Sequence, residues 1–225
     1  MLNKLNSILL SDNVVEKFHE AYKDEQFREW VLNVVPEVKA CMELKQDNPW
    51  HIYNCLDHIL YSVENMNKYT KTFNAESKRL LAYTMFLHDI GKPECYIRRF
   101  SKLYNREVDS FFNHNKAGVK IAKRVAIDFA FNETQSKQIQ ALIEDHDMFM
   151  FLTLKDDGNK FHRVLDETVI NDEIEKLNSV GDGFQLMQYL ILVGMSDNMA
   201  QNPEMTKNSL QLLDIMNNML INRLG

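Results

Sequence analysis

Residues that break helices are rare along this chain. Its 225 residues include only 7 glycines and 4 prolines, the two residue types that most strongly disfavour a helix interior. Hydrophobic residues make up 45% of the sequence, so the chain can bury a sizeable core. Few breakers over this length favour long helices over a turn-rich β fold. The sequence therefore predicts an all-α fold.

Apolar periodicity and turn residues divide the chain into helices. Ser11-Asp12-Asn13 reads as a cap for a helix that runs to about Asn33, and Pro36 is expected to open a short helix through Leu44. Further helices are predicted over about 51–69, 76–90, 114–131, 134–148, 163–178, 183–200 and 204–222. We expect one domain over residues 1–225, made of a helical cap (about 1–45), a core (about 46–203) and a C-terminal helix (204–225).

Cysteine content and charge limit the compartment and the partners. The three cysteines are far apart without a CxxC pair, which favours a reducing cytoplasm over a disulfide framework or a thiolate zinc site. No membrane span or signal peptide is expected. The net charge of −6 does not favour nucleic acid as a partner. Residues 92–124, however, carry nine basic and three acidic side chains. This positive surplus is either a solvated helix face or the source of a field that attracts an anionic substrate.

Five predicted helices each place an ionisable side chain on an apolar face. His146, for example, shares a face with Ile139, Leu142 and Ile143. The five residues are His58, His88, His114, His146 and Asp197. A single histidine on such a face is more often a hydrogen-bonded core residue, but burying five polar groups separately costs several kcal/mol each. Convergence on a metal removes all these costs together, and imidazole with carboxylate suits Fe, Mn, Co, Ni or Zn.

The most specific local feature is the His88-Asp89 pair. Adjacent helical residues point about 100° apart, so both would not normally face one ion. Gly91 and Pro93 follow immediately and are typical of a helix end. We therefore expect the backbone to leave the helix here, which would let both side chains reach one centre. The irregular segment that follows, 91–113, is the longest in the chain.

Together these motifs resemble the HD superfamily of metal-dependent phosphohydrolases. The resemblance is carried by LHDIGKP (Leu87 to Pro93), by the earlier His58 in NCLDH and by the late Asp197 in MSDN, and it extends from about Asn48 to Pro203. The preceding stretch, Leu10 to Tyr53 with its NPWHIYN, is also similar to the HD region of bacterial tRNA nucleotidyltransferases. The nucleotidyltransferase head is absent, so nucleotide addition is not implied.

The resemblance implies roles for individual residues. His58, His88, Asp89 and Asp197 would form the basic metal centre, with Asp89 able to bridge two ions. His114 and His146 match the extra histidines of members with two metals, whereas in single-metal members such residues contact substrate phosphate; we expect two ions. Lys92 matches a lysine near the substrate phosphate and is also placed to interact with a helix C-terminus. His51 is expected to support the ligands or the fold.

The predicted function is hydrolysis of a phosphate ester by metal-activated water. Asp89 and Lys92 are the expected catalytic residues, and Lys92, His114 and His146 the expected substrate-binding residues. The substrate would be a nucleotide or another small phosphorylated metabolite. Two alternatives remain open: a di-iron oxygenase of the same ligand order, and a non-catalytic module that binds RNA or a nucleotide. The sequence leaves the oligomeric state open.

Overall fold

The computed structural model describes residues 1–223, and α-helices dominate that range. The helices are α1 (Leu2–Leu9), α2 (Val14–Lys23), α3 (Glu25–Val34), α4 (Glu37–Glu43), α5 (Cys55–Tyr69), α6 (Ala75–Leu87), α7 (His114–Val125), α8 (Glu133–Asp145), α9 (Glu167–Leu177), α10 (Gly183–Asn198) and α11 (Pro203–Ile221). The predicted all-α class is confirmed. No helix of the described range has both the length and the apolar character that a membrane crossing needs.

Two small sheets interrupt the helices. Strands β1 (Ile97–Ser101) and β2 (Arg106–Ser110) form an antiparallel hairpin with Ile97 opposite Ser110. Strands β3 (Leu152–Thr153) and β4 (Arg163–Val164) form a short parallel pair. The hairpin fills most of the segment predicted to be irregular, and its turn contains Asn105 in the left-handed region at φ 48°, which asparagine adopts more readily than most residues.

Helices α6 and α10 lie at the centre of the core. Every residue from Leu80 to Leu87 is buried, and α10 is buried along most of its length, as expected for helices that are apolar on all sides. Helix α6 packs against α5, α7 and α8, and α10 packs against α5, α8, α9 and α11. These contacts bring α5, α6, α7, α8 and α10 together around one interior region.

Three of the first four helices contact this core directly, and the four differ from the predicted cap in two respects. Helix α1 contacts α6, while α2 and α4 contact α5. The helix predicted from Val14 to about Asn33 is two helices, because Asp24 adopts an extended conformation and its side chain accepts from the backbone N–H groups of Gln26 and Phe27. Asp24 thus caps a new helix. Helix α1 was not predicted.

Helices near the candidate ligands end earlier than predicted. Helix α6 ends at Leu87 instead of about residue 90, and α8 ends at Asp145 instead of about residue 148. His88 and His146 are therefore C-cap residues rather than interior helical positions. The division into cap, core and C-terminal helix stays a prediction, and the last two residues of the predicted helix 204–225 lie outside the described range.

Candidate metal centre

The first group of donor atoms combines residues from α5, the end of α6 and the end of α10. Asn54 caps α5 by accepting from the Asp57 backbone N–H, which sets the start of the helix and places His58 in its first turn. His58 Nε2 lies 3.0 Å from Asp89 Oδ2 and 2.9 Å from Asp197 Oδ1. His88 Nε2 lies 3.4 Å and 3.5 Å from the same two oxygens. All four residues are buried.

A second group uses the other oxygen of Asp89. His114 Nε2 lies 3.2 Å from Asp89 Oδ1, and His146 Nε2 lies 3.7 Å from it. The two imidazole Nε2 atoms are 3.1 Å apart. The structure thus brings together all six residues predicted as metal ligands, in two groups that meet at Asp89. Their assignment as ligands stays a prediction.

The four imidazoles are held in one tautomer. In each of them Nδ1 faces a backbone carbonyl, 2.6 to 3.2 Å away, which can only accept a hydrogen bond; these carbonyls belong to Ala200 for His58, Met85 for His88, Phe111 for His114 and Ile143 for His146. The proton of each neutral ring is therefore on Nδ1, and a lone pair on Nε2 points into the site. Such a bond at the far nitrogen is typical of metal-binding histidines.

The inward-facing atoms lack ordinary partners. Among the described residues, the buried Nε2 atoms of His58 and His88 have no hydrogen-bond donor beside them, and Asp89 Oδ2 has only the Lys92 ammonium, although two imidazoles also face it. Buried polar atoms without hydrogen bonds are rare and costly. Donors bonded to one ion at about 2.1 Å are spaced roughly 3.0 to 3.4 Å apart, which matches most of the separations above. The residues fit a divalent cation in each group.

Without a metal, the two carboxylates of the first group draw positive charge onto the neighbouring imidazoles. Burial would lower the pKa of His58, but a second proton on Nε2 could be donated to Asp197 and Asp89, and this outweighs burial and raises the pKa to about 9. His88 likewise reaches a pKa of about 9, against the effect of burial, because Asp89 and Asp197 are adjacent. Burial would raise the pKa of Asp89 and of Asp197, but the neighbouring cationic groups hold both well below the usual range.

Lys92 is inside the protein. Only 4% of the residue is exposed, and its ammonium lies 2.5 Å from Asp89 Oδ2, 2.9 Å from Gln46 Oε1 and 3.0 Å from His51 Nε2. An ammonium has three N–H groups, so these three acceptors can occupy all of them. Contact between Lys92 and a substrate phosphate would require one acceptor to be displaced. The expected supporting role of His51 agrees with this position beside Lys92.

In the folded protein, acidic residues from outside 92–124 offset part of the positive charge counted along that segment. Arg98 contacts Asp47 and Asp109, and Arg106 also contacts Asp47. Arg124 contacts Glu37, another acidic residue outside the counted segment. Charge counted along a segment overlooks acids that the fold brings from elsewhere, so this surplus carries little of the functional argument.

Three residues around the site were missed in the sequence. Gln46 is buried in the left-handed region, with φ 56°, and Gln201 donates to both oxygens of Asp197 at 3.1 Å. Asp147 lies beside His114 and His146. The signal for Asp147 was available, because His146-Asp147 repeats the dipeptide His88-Asp89. Gln46 and Gln201 have no comparable local signal.

Comparison with protein families agrees with this arrangement. The family model described as the HD domain matches residues 55–177, slightly more than half of the chain. The matched stretch contains five of the six predicted ligands, from His58 to His146. Asp197 lies beyond it on α10, the helix that packs against both α5 and α8.

Proposed function

The chain belongs to the HD-domain family, and from that premise we propose that it is a metal-dependent phosphohydrolase. The observation that carries the proposal is the pair of donor groups that share the two oxygens of Asp89. We infer two divalent transition-metal ions, one held by His58, His88, Asp89 and Asp197, the other by Asp89, His114 and His146. The substrate is proposed to be a nucleotide or another small phosphorylated metabolite.

The side of the site that faces solvent determines where a substrate can approach. His58, His88 and His146 have almost fully buried side chains, whereas the His114 side chain is 11% exposed. A phosphate ester would therefore approach beside His114. Divalent ions in such a site polarise a phosphoryl oxygen and lower the pKa of bound water.

The protein residues have defined tasks in this reaction. Asp89 links the two donor groups and fixes their separation, while the backbone carbonyls hold the histidines with Nε2 facing inward. Hydrolysis forms a bond between water oxygen and phosphorus, breaks the bond to the ester oxygen and moves a proton to that leaving oxygen. Lys92 is assigned to hold Asp89 ionised and oriented from behind. A direct contact of Lys92 with phosphate remains a sequence-based prediction.

The test measures metal content and hydrolysis in the same samples. Chain purified without chelator is analysed for metals, reloaded with Mn²⁺, Fe²⁺, Co²⁺, Ni²⁺ or Zn²⁺, and assayed on a panel of phosphomonoesters and phosphodiesters, including nucleotides. We expect two ions per chain and hydrolysis of at least one class. Asp89→Asn should bind neither ion tightly, because the amide offers one oxygen where two groups need one each. His88→Ala should bind one ion and lose at least 100-fold in activity.

The control variant is His162→Ala. His162 is partly exposed and bonded to Asp157, and it is not part of either donor group. This variant should retain both ions and full activity. If His88→Ala and Asp89→Asn behaved like His162→Ala, the metal centre would be wrongly placed. A wild-type chain with two ions that hydrolysed no phosphate ester, but consumed oxygen when iron-loaded, would favour the oxygenase alternative.

A further inference from the structure

The two proposed ligand groups are unequal in carboxylates. The first has two imidazoles, Asp197 and one oxygen of Asp89, whereas the second has two imidazoles and the other oxygen of Asp89. Asp147 immediately follows His146 at the end of α8. Like Asp197 in the first group, Asp147 adds a carboxylate next to two imidazoles.

The distances place Asp147 beside both histidines of the second group. Asp147 Oδ2 lies 3.1 Å from His114 Nε2, and Oδ1 lies 3.5 Å from His146 Nε2. In the first group, Asp197 Oδ1 lies 2.9 Å and 3.5 Å from the Nε2 atoms of His58 and His88. Asp197 approaches both imidazoles with the same oxygen, whereas Asp147 approaches His114 with Oδ2 and His146 with Oδ1, at similar distances. These separations are those of donor atoms that surround one ion.

Hydrogen bonding between the neutral imidazoles and the carboxylate does not explain why Asp147 is here. His114 and His146 each donate from Nδ1 to a carbonyl, of Phe111 and Ile143, so in their neutral forms neither has an N–H for Asp147. A carboxylate facing two nitrogen lone pairs is repulsive unless a cation or an added proton lies between them. The same two Nε2 atoms also face each other at 3.1 Å, and one ion would satisfy all three groups.

We propose that Asp147 is the fourth protein ligand of the second ion. Each ion then has two imidazoles, one carboxylate of its own and one oxygen of Asp89. This inference depends on the metal centre proposed above and adds to it a ligand outside the six predicted ones. The Asp147 side chain is 24% exposed, compared with 9% for Asp197. The second ion is therefore the one nearer to solvent, with Asp147 on its open side.

The experiment compares Asp147→Asn with a charge-matched control. Glu144→Gln removes the same charge three residues earlier on α8, from an exposed side chain. Metal-free wild type and variants are titrated with Mn²⁺ and separately with Co²⁺ by equilibrium dialysis, and the ions per chain and both dissociation constants are measured. Asp147→Ser serves as a second variant, and circular dichroism establishes that each protein is folded.

We expect Asp147→Asn and Asp147→Ser to bind the second ion about 10- to 100-fold more weakly, with the first dissociation constant unchanged. Glu144→Gln should match wild type in both steps. If wild type binds two ions and the Asp147 variants bind both with unchanged affinity, the role of Asp147 is refuted while the metal centre stands. If wild type binds fewer than two ions, both the inference and the two-ion proposal fail.

Discussion

Replacing Gly91 by alanine should separate the two halves of the proposed site. A Cβ atom at Gly91 would lie 2.4 Å from the backbone oxygen of His114, 2.6 Å from the backbone nitrogen of Gly118 and 2.8 Å from Cβ of Ala117. Ordinary contact begins near 3.4 Å, so the start of α7 would have to move by about 1 Å. Metal sites tolerate ligand displacements of only about 0.2 Å.

The cost can be estimated from the same contacts. The atoms in the way belong to backbone or to a short side chain, so they cannot yield as a flexible side chain would. Overpacking of this kind costs about 1–3 kcal/mol. We expect Gly91→Ala to lower the free energy of unfolding of the metal-free protein by that amount, and to lose the ion held by His114. The assays are urea unfolding with chelator present and metal dialysis.

Gly118→Ala is the matched control within the same contact. Its Cβ would meet the Ile143 side chain at 3.2 Å and two carbonyl oxygens at 3.4 Å, which asks for a shift of a few tenths of an ångström. Alanine also improves helix propensity by about 1 kcal/mol over glycine, so the net change should be close to zero. If Gly91→Ala retains wild-type stability and two ions per chain, close packing of α7 against Gly91 does not position His114.

Two further predictions concern the charges of the site. In metal-free protein, Lys92→Met should lower the free energy of unfolding by on the order of 3 kcal/mol, because it removes the ammonium that pairs with buried Asp89. In the metal-loaded enzyme it should reduce kcat more than it raises KM. A rise in KM alone would instead support direct phosphate contact. In metal-free protein, the pKa of His58 and of His88 is raised to about 9 from 6.5, so their stabilising effect is complete below about pH 6.5 and is lost as the pH rises through about 9. The stability advantage of wild type over His88→Gln in urea should therefore shrink between about pH 6 and about pH 9, and an advantage that stays constant would contradict these assignments.

Much of the site could be predicted because its signals are local. Five of the six predicted ligands share an apolar face in the predicted helices, and His88-Asp89 precedes Gly91 and Pro93, which are typical of a helix end. The helical class followed from the rarity of breakers and was confirmed. Such features depend on neighbours within one or two turns, which a sequence displays directly.

The parts that were missed depend on long-range contacts or on single cap residues. Gln46 reaches Lys92 across 46 positions, and no pattern near Gln46 indicates a buried amide. Asp24 divides a continuous amphipathic run by accepting two backbone N–H groups, and aspartate is equally common on exposed helix faces. The hairpin 97–110 is stabilised partly by pairing across strands, which helix periodicity does not reveal.

The shortened helices also explain how the imidazoles are oriented. The last carbonyls of a helix have no partner within it. Because α6 and α8 stop at Leu87 and Asp145, the carbonyls of Met85 and Ile143 are left for the C-cap histidines, which donate to them from Nδ1 at 2.6 Å and 2.7 Å. Continuing either helix through its histidine by one more turn would give that carbonyl a backbone donor and free the ring to rotate. The helix ends therefore fix both the tautomer and the direction of the His88 and His146 rings. Asp89 and Asp147, which follow these histidines, lie in the turns after the two helices and beside the candidate metal centre.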